Sequence, residues 1–247
     1  MAIAYDNSAK GSSTNLDWTF SHTCTGDNLI LVVSVTSFFN TFTVTYNGFS
    51  MTQIGGFLQD VGQTGKYHSM WYLIAPSTGA NNVRIVTSGQ AFNIVQAESA
   101  SYTGCNQSSQ PDGYTDGTVG TLTSSYSISH TTIADNCWVI MGGFNGFTGN
   151  TPSSAGTATT LRQQETTYEA GSRICDNNSA KTPAGSVTLT LTNTTNNNYT
   201  GKSISISPFT AVSGPTNLKS LNTNLKANIK TINGNPIANV KSYNTIT

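Results

Sequence analysis

The sequence predicts an all-β protein: a two-sheet antiparallel sandwich of jelly-roll type that carries a short repeat tail at its C-terminal end. Three observations predict it. About a dozen short segments rich in β-branched and aromatic residues follow one another at close spacing. Gly-, Pro- and Asn-rich turn signals fall between them. No convincing amphipathic helix interrupts the first 210 residues, so nothing supplies the crossovers of a parallel sheet.

In chain order the candidate strands are residues 18–22, 29–38, 42–46, 51–57, 67–74, 83–87, 94–102, 118–128, 137–143, 158–165, 172–176, 187–192 and 203–206. Asn47-Gly48, between Val44-Thr45-Tyr46 and Phe49, is the strongest hairpin cue, because both residues tolerate the positive φ of a type I′ turn. Ala75-Pro76-Ser77-Thr78-Gly79, Asp112-Gly113 and Asp116-Gly117 mark further connections. The stretches 106–114, 146–154 and 193–199 are polar and rich in Gly or Asn, which suits surface loops. The longest apolar run, Leu29 to Val35 with Ser34 inside it, is far too short to cross a bilayer as a helix.

Only 9% of residues are charged, against roughly 25% in an average soluble domain, and Thr, Ser, Asn and Gly fill the difference. With 10 Tyr, 10 Phe and 3 Trp the chain is not of disordered composition. Met1 to Asp6 lack a basic segment followed by an apolar one, so the expectation is synthesis in a cytoplasm without a Sec-type signal. Cys24, Cys105, Cys137 and Cys175 show no metal-ligand spacing. Buried free thiols are favoured over two disulfides, and Cys137 beside Trp138 reads as a core position.

The C-terminal end repeats every 11 residues. Asn217-Leu218-Lys219-Ser220-Leu221-Asn222, Asn228-Ile229-Lys230-Thr231-Ile232-Asn233 and Asn239-Val240-Lys241-Ser242-Tyr243-Asn244 share one pattern, Asn-apolar-Lys-(Ser/Thr)-apolar-Asn. The expected division is a sandwich body over 1–210, a linker over 211–216 and a repeat tail over 217–247. Too few apolar groups stand in the tail to bury a core of its own, so it is expected to dock onto a partner. Leu218, Leu221, Leu225, Ile229 and Ile232 fit one helical face, whereas Gly234-Asn235-Pro236 breaks that spacing while the repeat continues. Short extended segments joined by turns are favoured over a helix followed by a strand.

The zero net charge hides a split. The body holds seven Lys/Arg and all eleven Asp/Glu, a net of −4, while the tail holds Lys219, Lys226, Lys230 and Lys241 and no acid, a net of +4. Opposite potentials make an identical subunit a fitting partner. The residues expected to anchor the tail are Leu218, Lys219, Leu221, Lys226, Ile229, Lys230, Ile232, Val240, Lys241 and Tyr243. Four scattered lysines without arginine make too thin a phosphate footprint for nucleic acid.

No nucleophile elbow, P-loop or dinucleotide glycine pattern is present, and nothing calls for a cofactor or a metal. His22, His68 and His130 read as structural, hydrogen-bonded histidines. Asp112 and Asp116 could offer oxygens to calcium but lack the EF-hand pattern. Asp60, Glu98, Glu165 and Glu169 could include a glycosidase pair, without a means of choosing one. Four N-x-(Ser/Thr) triplets, at Asn106, Asn177, Asn193 and Asn198, are what an Asn/Thr-rich chain produces by chance. Among the aromatic residues, most of which should turn inward, Phe39 and Phe147 near loop ends are the candidates for an exposed ligand surface.

Phe20-Ser21-His22-Thr23, Val44-Thr45-Tyr46-Asn47-Gly48, Trp71-Tyr72-Leu73-Ile74-Ala75-Pro76-Ser77-Thr78-Gly79 and Ala100-Ser101-Tyr102-Thr103-Gly104 resemble uncharacterised β-sandwich proteins of phages and environmental bacteria. Ala227-Asn228-Ile229-Lys230-Thr231-Ile232-Asn233-Gly234, echoed by Ala238-Asn239-Val240-Lys241-Ser242, looks like repeats at the ends of phage tail and other virion-associated proteins. The resemblance implies a non-enzymatic role on a virion or an extracellular assembly surface, as a decoration, fibre or tail component, with other subunits as partners. The second expectation is a host-adhesion module that binds a cell-surface glycan; the third is a glycan hydrolase.

Overall fold

The computed structural model describes residues 1–62, 65–88, 94–145, 153–166 and 171–210, and the backbone of 231–232 and 235–236. The chain divides into two compact units, Met1–Phe209 and Thr210–Thr247. Every strand pairing is antiparallel, and no helix occurs among the described residues.

The first half of the body contains β1 (Ala4–Ser13), β2 (Asp17–Cys24), β3 (Ile30–Ser37), β4 (Phe42–Tyr46), β5 (Phe49–Ser50), β6 (Thr52–Gln59), β7 (Tyr67–Ile74), β8 (Gly79–Thr87) and β9 (Val95–Thr103). They form an inner sheet in the order β1-β9-β3-β7-β6 and an outer sheet in the order β2-β8-β4-β5. With β5 and β6 taken as two parts of one strand split at Met51, this is the eight-stranded jelly-roll order of two interleaved Greek keys.

The second half contains β10 (Gly113–Thr131), β11 (Trp138–Asn145), β12 (Ser153–Ala155), β13 (Thr160–Glu165), β14 (Ser172–Asp176) and β15 (Ser186–Ile206). β10 and β15 are long, and their shared ladder is irregular in the middle: 113–119 pair with 199–205, and 125–131 with 186–192. Each therefore supplies two strands. Counted that way, 113–119, 199–206, β11, β14 and β13 form an inner sheet, and 125–131, 186–192 and β12 an outer one. The order repeats that of the first half strand for strand. Register repeats too, since Thr19↔Arg84 and Ser21↔Asn82 have Ser127↔Thr190 and Ser129↔Thr188 as counterparts.

The antiparallel sandwich is thus the predicted one, but it is present twice within a body expected to hold a single pair of sheets. A trace of the duplication is written in the chain. Ser21-His22-Thr23 and Asp27-Asn28 recur as Ser129-His130-Thr131 and Asp135-Asn136, and both asparagines take left-handed backbone, with φ of 53° and 62°.

The two inner sheets face each other. β3 lies against β11, β9 against β14, β7 against β15, β1 against β13 and β6 against β10. Exchanging the two rolls maps this set of contacts onto itself, the signature of an isologous, two-fold-like interface made inside one chain. Ile30, Val32, Met70, Ala100 and Tyr102 from the first roll meet Trp138, Ile140, Ile174, Ile204 and Ile206 from the second. Each roll also has its own core, with Trp18, Phe20, Val33, Tyr46 and Ile85 in one and Tyr126, Ile128, Met141 and Leu189 in the other. Inner strands are consequently covered on both faces, and β3, β9, β11 and β14 are buried nearly end to end, which accounts for the unbroken apolar run at Leu29 to Val33. Close approach of β3 and β11 requires Gly142, where a Cβ would stand 2.6 Å from Ser34 Oγ.

Two expectations change. Residues 193–199 are not a loop but the crease of β15, exposed at 194–196, with Asn193, Asn197 and Asn198 buried, so the triplets at Asn193 and Asn198 do not present free side chains. β1 was not anticipated, because its polar run Asp6-Asn7-Ser8-Ala9-Lys10-Gly11 is that of a half-buried edge strand with little hydrophobic alternation.

The strands give the body two unlike ends. Ser37 pairs with Val95 and Tyr67 at one end, from which the β1–β2, β3–β4, β6–β7 and β8–β9 connections and their counterparts emerge. Ile30 pairs with Tyr102 and Ile74 at the other. There the Met1 ammonium donates to the Phe209 carbonyl at 3.0 Å, and the Phe209 N–H donates to Gly104 O at 2.7 Å, so the chain leaves the body at this second end. In the second unit, β16 (Thr231–Ile232) pairs with β17 (Asn235–Pro236).

Candidate functional site

A hydrogen-bonded Asp–Ser–His–Ser chain occurs once in each roll. Ser101 Oγ donates to Asp6 Oδ2 at 2.7 Å and lies 3.0 Å from His22 Nε2, while His22 Nδ1 lies 2.8 Å from Ser99 Oγ. In the second roll Ser205 Oγ donates to Asp112 Oδ2 at 3.3 Å, with His130 Nε2 3.0 Å from Ser205 and Nδ1 3.1 Å from Ser203. The serine proton goes to the carboxylate, so Nε2 carries the imidazole proton and donates to that serine. Asp6 also accepts from the Thr25 N–H at 2.9 Å, and Asp112 from the Ile133 N–H at 2.7 Å, at corresponding positions.

The same residue types make a catalytic triad, but there the histidine takes the serine proton. Here aspartate holds it. Ser99, Ser101, Ser203 and Ser205 are fully buried. The chain of bonds instead ties the outer-sheet histidine to the inner sheet and to the segment that begins each roll. Burial lowers the pKa of His22 to about 4, against the pull of Asp6, and lowers that of His130 against Asp112. Both therefore act as neutral, structural histidines, as expected.

A second constellation lies between the inner sheets, towards the end that carries the strand connections. Gln96, Thr36 and His68 are register neighbours across β9, β3 and β7 on the face turned to the second roll, followed by Glu98, Ser34 and Met70. Ser172 Oγ donates to Glu98 Oε1. Thr36 Oγ1, Gln96 Nε2, Glu98 Oε2 and both His68 ring nitrogens complete no hydrogen bond, though the Val35 backbone lies within electrostatic reach of the imidazole. Burial raises the Glu98 carboxyl to about 8, an effect that Ser172 and Arg173 oppose and Glu165 reinforces. Burial, with Lys202 adding to it, lowers His68 to about 3. His68 thus departs from the expectation of a hydrogen-bonded histidine. Where the first roll has Glu98, the second has Lys202, whose Nζ donates to Asp116 Oδ1 at 2.5 Å.

These placements decide several sequence candidates. Asp112 and Asp116 do not frame a cation loop: Asp112 is occupied by two backbone N–H groups and Ser205, and Asp116 by Lys202. Asp60, Glu98 and Glu165 are buried at the inner interface rather than set across a groove, and Glu169 lies outside the described residues. All four cysteines are buried and unbridged. Phe39 is partly buried against the first core, while its neighbour Phe38 is exposed, with Lys66 Nζ 5.2 Å from its ring centre. Phe147 lies outside the described residues, as do Leu218, Lys219, Leu221, Lys226, Ile229, Lys230, Val240, Lys241 and Tyr243; Ile232 is in β16.

The outer face of the first outer sheet carries a depression of about 360 Å3 lined by Thr19, Thr45, Asn47, Gly48, Ala80, Asn81, Asn82 and Arg84. Sequence reading missed it, because its residues come from three strands that are brought side by side only by the Greek-key order. Comparison with known protein families, characterised proteins and solved structures finds no match.

Proposed function

We propose that the protein is a non-enzymatic structural component of a virion or another surface assembly, in which the repeat tail anchors the double-roll body to a neighbouring subunit. The observation that carries this reading is the polarity of the body. The chain leaves at the end where Met1 and Phe209 meet, opposite the end at which Ser37 pairs with Val95 and Tyr67. An anchor attached at the first end leaves the second free for contact with the surroundings.

The test compares the full chain with residues 1–209 in its native assembly. The truncated body should keep its β-sheet circular dichroism and its cooperative unfolding, yet fail to incorporate. Normal incorporation of residues 1–209 overturns the anchoring role.

A further inference from the structure

The two outer sheets share strand order and register, so their outward faces can be compared position by position. In the second roll the face is closed on itself: Ser127 Oγ and Thr190 Oγ1 are 2.7 Å apart, and Ser129 Oγ and Thr188 Oγ1 are 2.8 Å apart. In the first roll the same positions hold Thr19, Arg84, Ser21 and Asn82, and the hydroxyls and the amide make no such bonds. Arg84 instead turns along the sheet to Asp17, with Nε 2.7 Å from Oδ1. Asn47 and Asn81 are pinned by bonds to Ser77, Thr78 and Gly79, which fixes one wall of the depression.

We propose that this depression is a binding site for an uncharged saccharide. Thr19, Thr45 and Asn82 present free hydroxyl and amide groups, both donors and acceptors, at spacings set by neighbouring strands. The one cation in the lining is neutralised by the Asp17 carboxylate, so the site offers no net charge to an anion or a cation. A ligand that matches it is therefore polar, uncharged and rich in hydroxyls. About 360 Å3 is at the low end of small-molecule sites, which run from roughly 300 Å3 upward, and suits a short saccharide rather than a long chain. The site is independent of the tail, so its failure leaves the anchoring role untouched.

Saturation-transfer NMR on the full chain, with the methyl glycosides and trisaccharides of glucose, mannose, galactose and N-acetylglucosamine as probes, tests the proposal. At least one probe should receive saturation, and its affinity should fall at least tenfold in Thr45→Val and in Asn82→Leu. Thr188→Val, at the position in the second roll that corresponds to Asn82, should leave it unchanged. Circular dichroism identifies any variant that fails to fold, and Thr19→Val then takes its place. No transfer to any probe, or transfer that survives the first-roll substitutions, overturns the proposal.

Discussion

Replacing Glu98 by Gln should flatten the alkaline side of the protein's stability profile. The carboxyl is fully buried between the inner sheets, and its folded pKa stands at about 8 against an ordinary 4.5. Below pH 4.5 both folded and unfolded chains carry the proton. Between 4.5 and about 8 only the folded chain does, so stability falls as pH rises through that window. At about 1.4 kcal/mol per pH unit the whole window amounts to about 5 kcal/mol, of which about 2 kcal/mol falls between pH 6.5 and 8. Glutamine keeps an oxygen for the Ser172 hydroxyl and cannot ionise, so the variant should lack this loss. His22 and His68 act in the opposite sense. Held neutral in the fold and protonated in the unfolded chain below their ordinary 6.5, they lower stability as pH falls, and the wild-type optimum should lie near pH 6.5. Urea unfolding followed by the fluorescence of the buried Trp18, Trp71 and Trp138, at half-unit steps from pH 5.5 to 8.5, measures both curves. If wild type and Glu98→Gln run parallel from pH 6.5 to 8, the buried neutral carboxyl is wrong.

Other expectations follow from the same interfaces. His68→Leu should gain stability relative to wild type as pH falls from 7.5 to 5, by about 2 kcal/mol, because the protonation it removes is one the fold excludes; equal changes in both proteins refute this. Ser101→Ala and Ser205→Ala each strand a buried imidazole nitrogen, so both should lose about 1–3 kcal/mol in urea unfolding, and a null effect in either breaks the equivalence of the two relays. Gly142→Val drives a side chain into Ser34 and should be strongly destabilising, by more than about 3 kcal/mol; a melting temperature near wild type contradicts the close β3–β11 approach. Ellman's reagent should find almost no thiol in the native protein and four in guanidinium, whereas fast native reaction at any site contradicts the burial of the cysteines.

How far these features were legible in the sequence depends on which strands carried them. Residues 42–46, 67–74 and 172–176 were bounded as the structure has them, because alternation and flanking Gly, Pro or Asn mark both ends. β10 and β15 were not. They were read only in pieces, as 118–128, 187–192 and 203–206, because the Asn-rich crease of β15 and the Asp-Gly pairs at the start of β10 look like loop composition. The duplication escaped for a related reason. Equivalent positions keep their geometric role while changing chemistry, as with Glu98 and Lys202, His68 and Ser172, or Thr36 and Phe144. Matching letters survive at Ser-His-Thr, at Asp-Asn and at the aspartate and two serines of each relay, where a buried hydrogen-bond chain and a left-handed turn tolerate little else. The depression on the outer sheet required knowledge that β2, β8 and β4 are neighbours, which no local pattern contains.

The two-fold-like interface explains why the unusual chemistry gathers where it does. Glu98 against Ser172 and Lys202 beside His68 are one contact seen from its two sides, because the rolls exchange β9 with β15 and β7 with β14. In a true symmetric dimer both contacts would be the same pair. Within a single chain they diverge, and at this contact the first roll holds Thr36, Gln96, Glu98 and His68, each with a buried polar atom that completes no hydrogen bond. The second roll supplies Thr200, Phe144, Ser172 and Lys202 at the corresponding places, all with apolar contacts or hydrogen-bond partners. Such an asymmetric polar layer weakens at alkaline and acidic pH the end of the interface that holds Glu98 and His68, whereas at the other end Ile30 and Trp138 pack in an apolar cluster beside the Tyr102–Asp176–Arg162 bonds. Loss of stability at either extreme of pH should therefore begin by loosening the inner sheets at the end that bears the strand connections. Hydrogen exchange at pH 8.5 should show the amides of β3 near Thr36 losing protection before those near Ile30, and uniform loss along β3 would count against a graded interface.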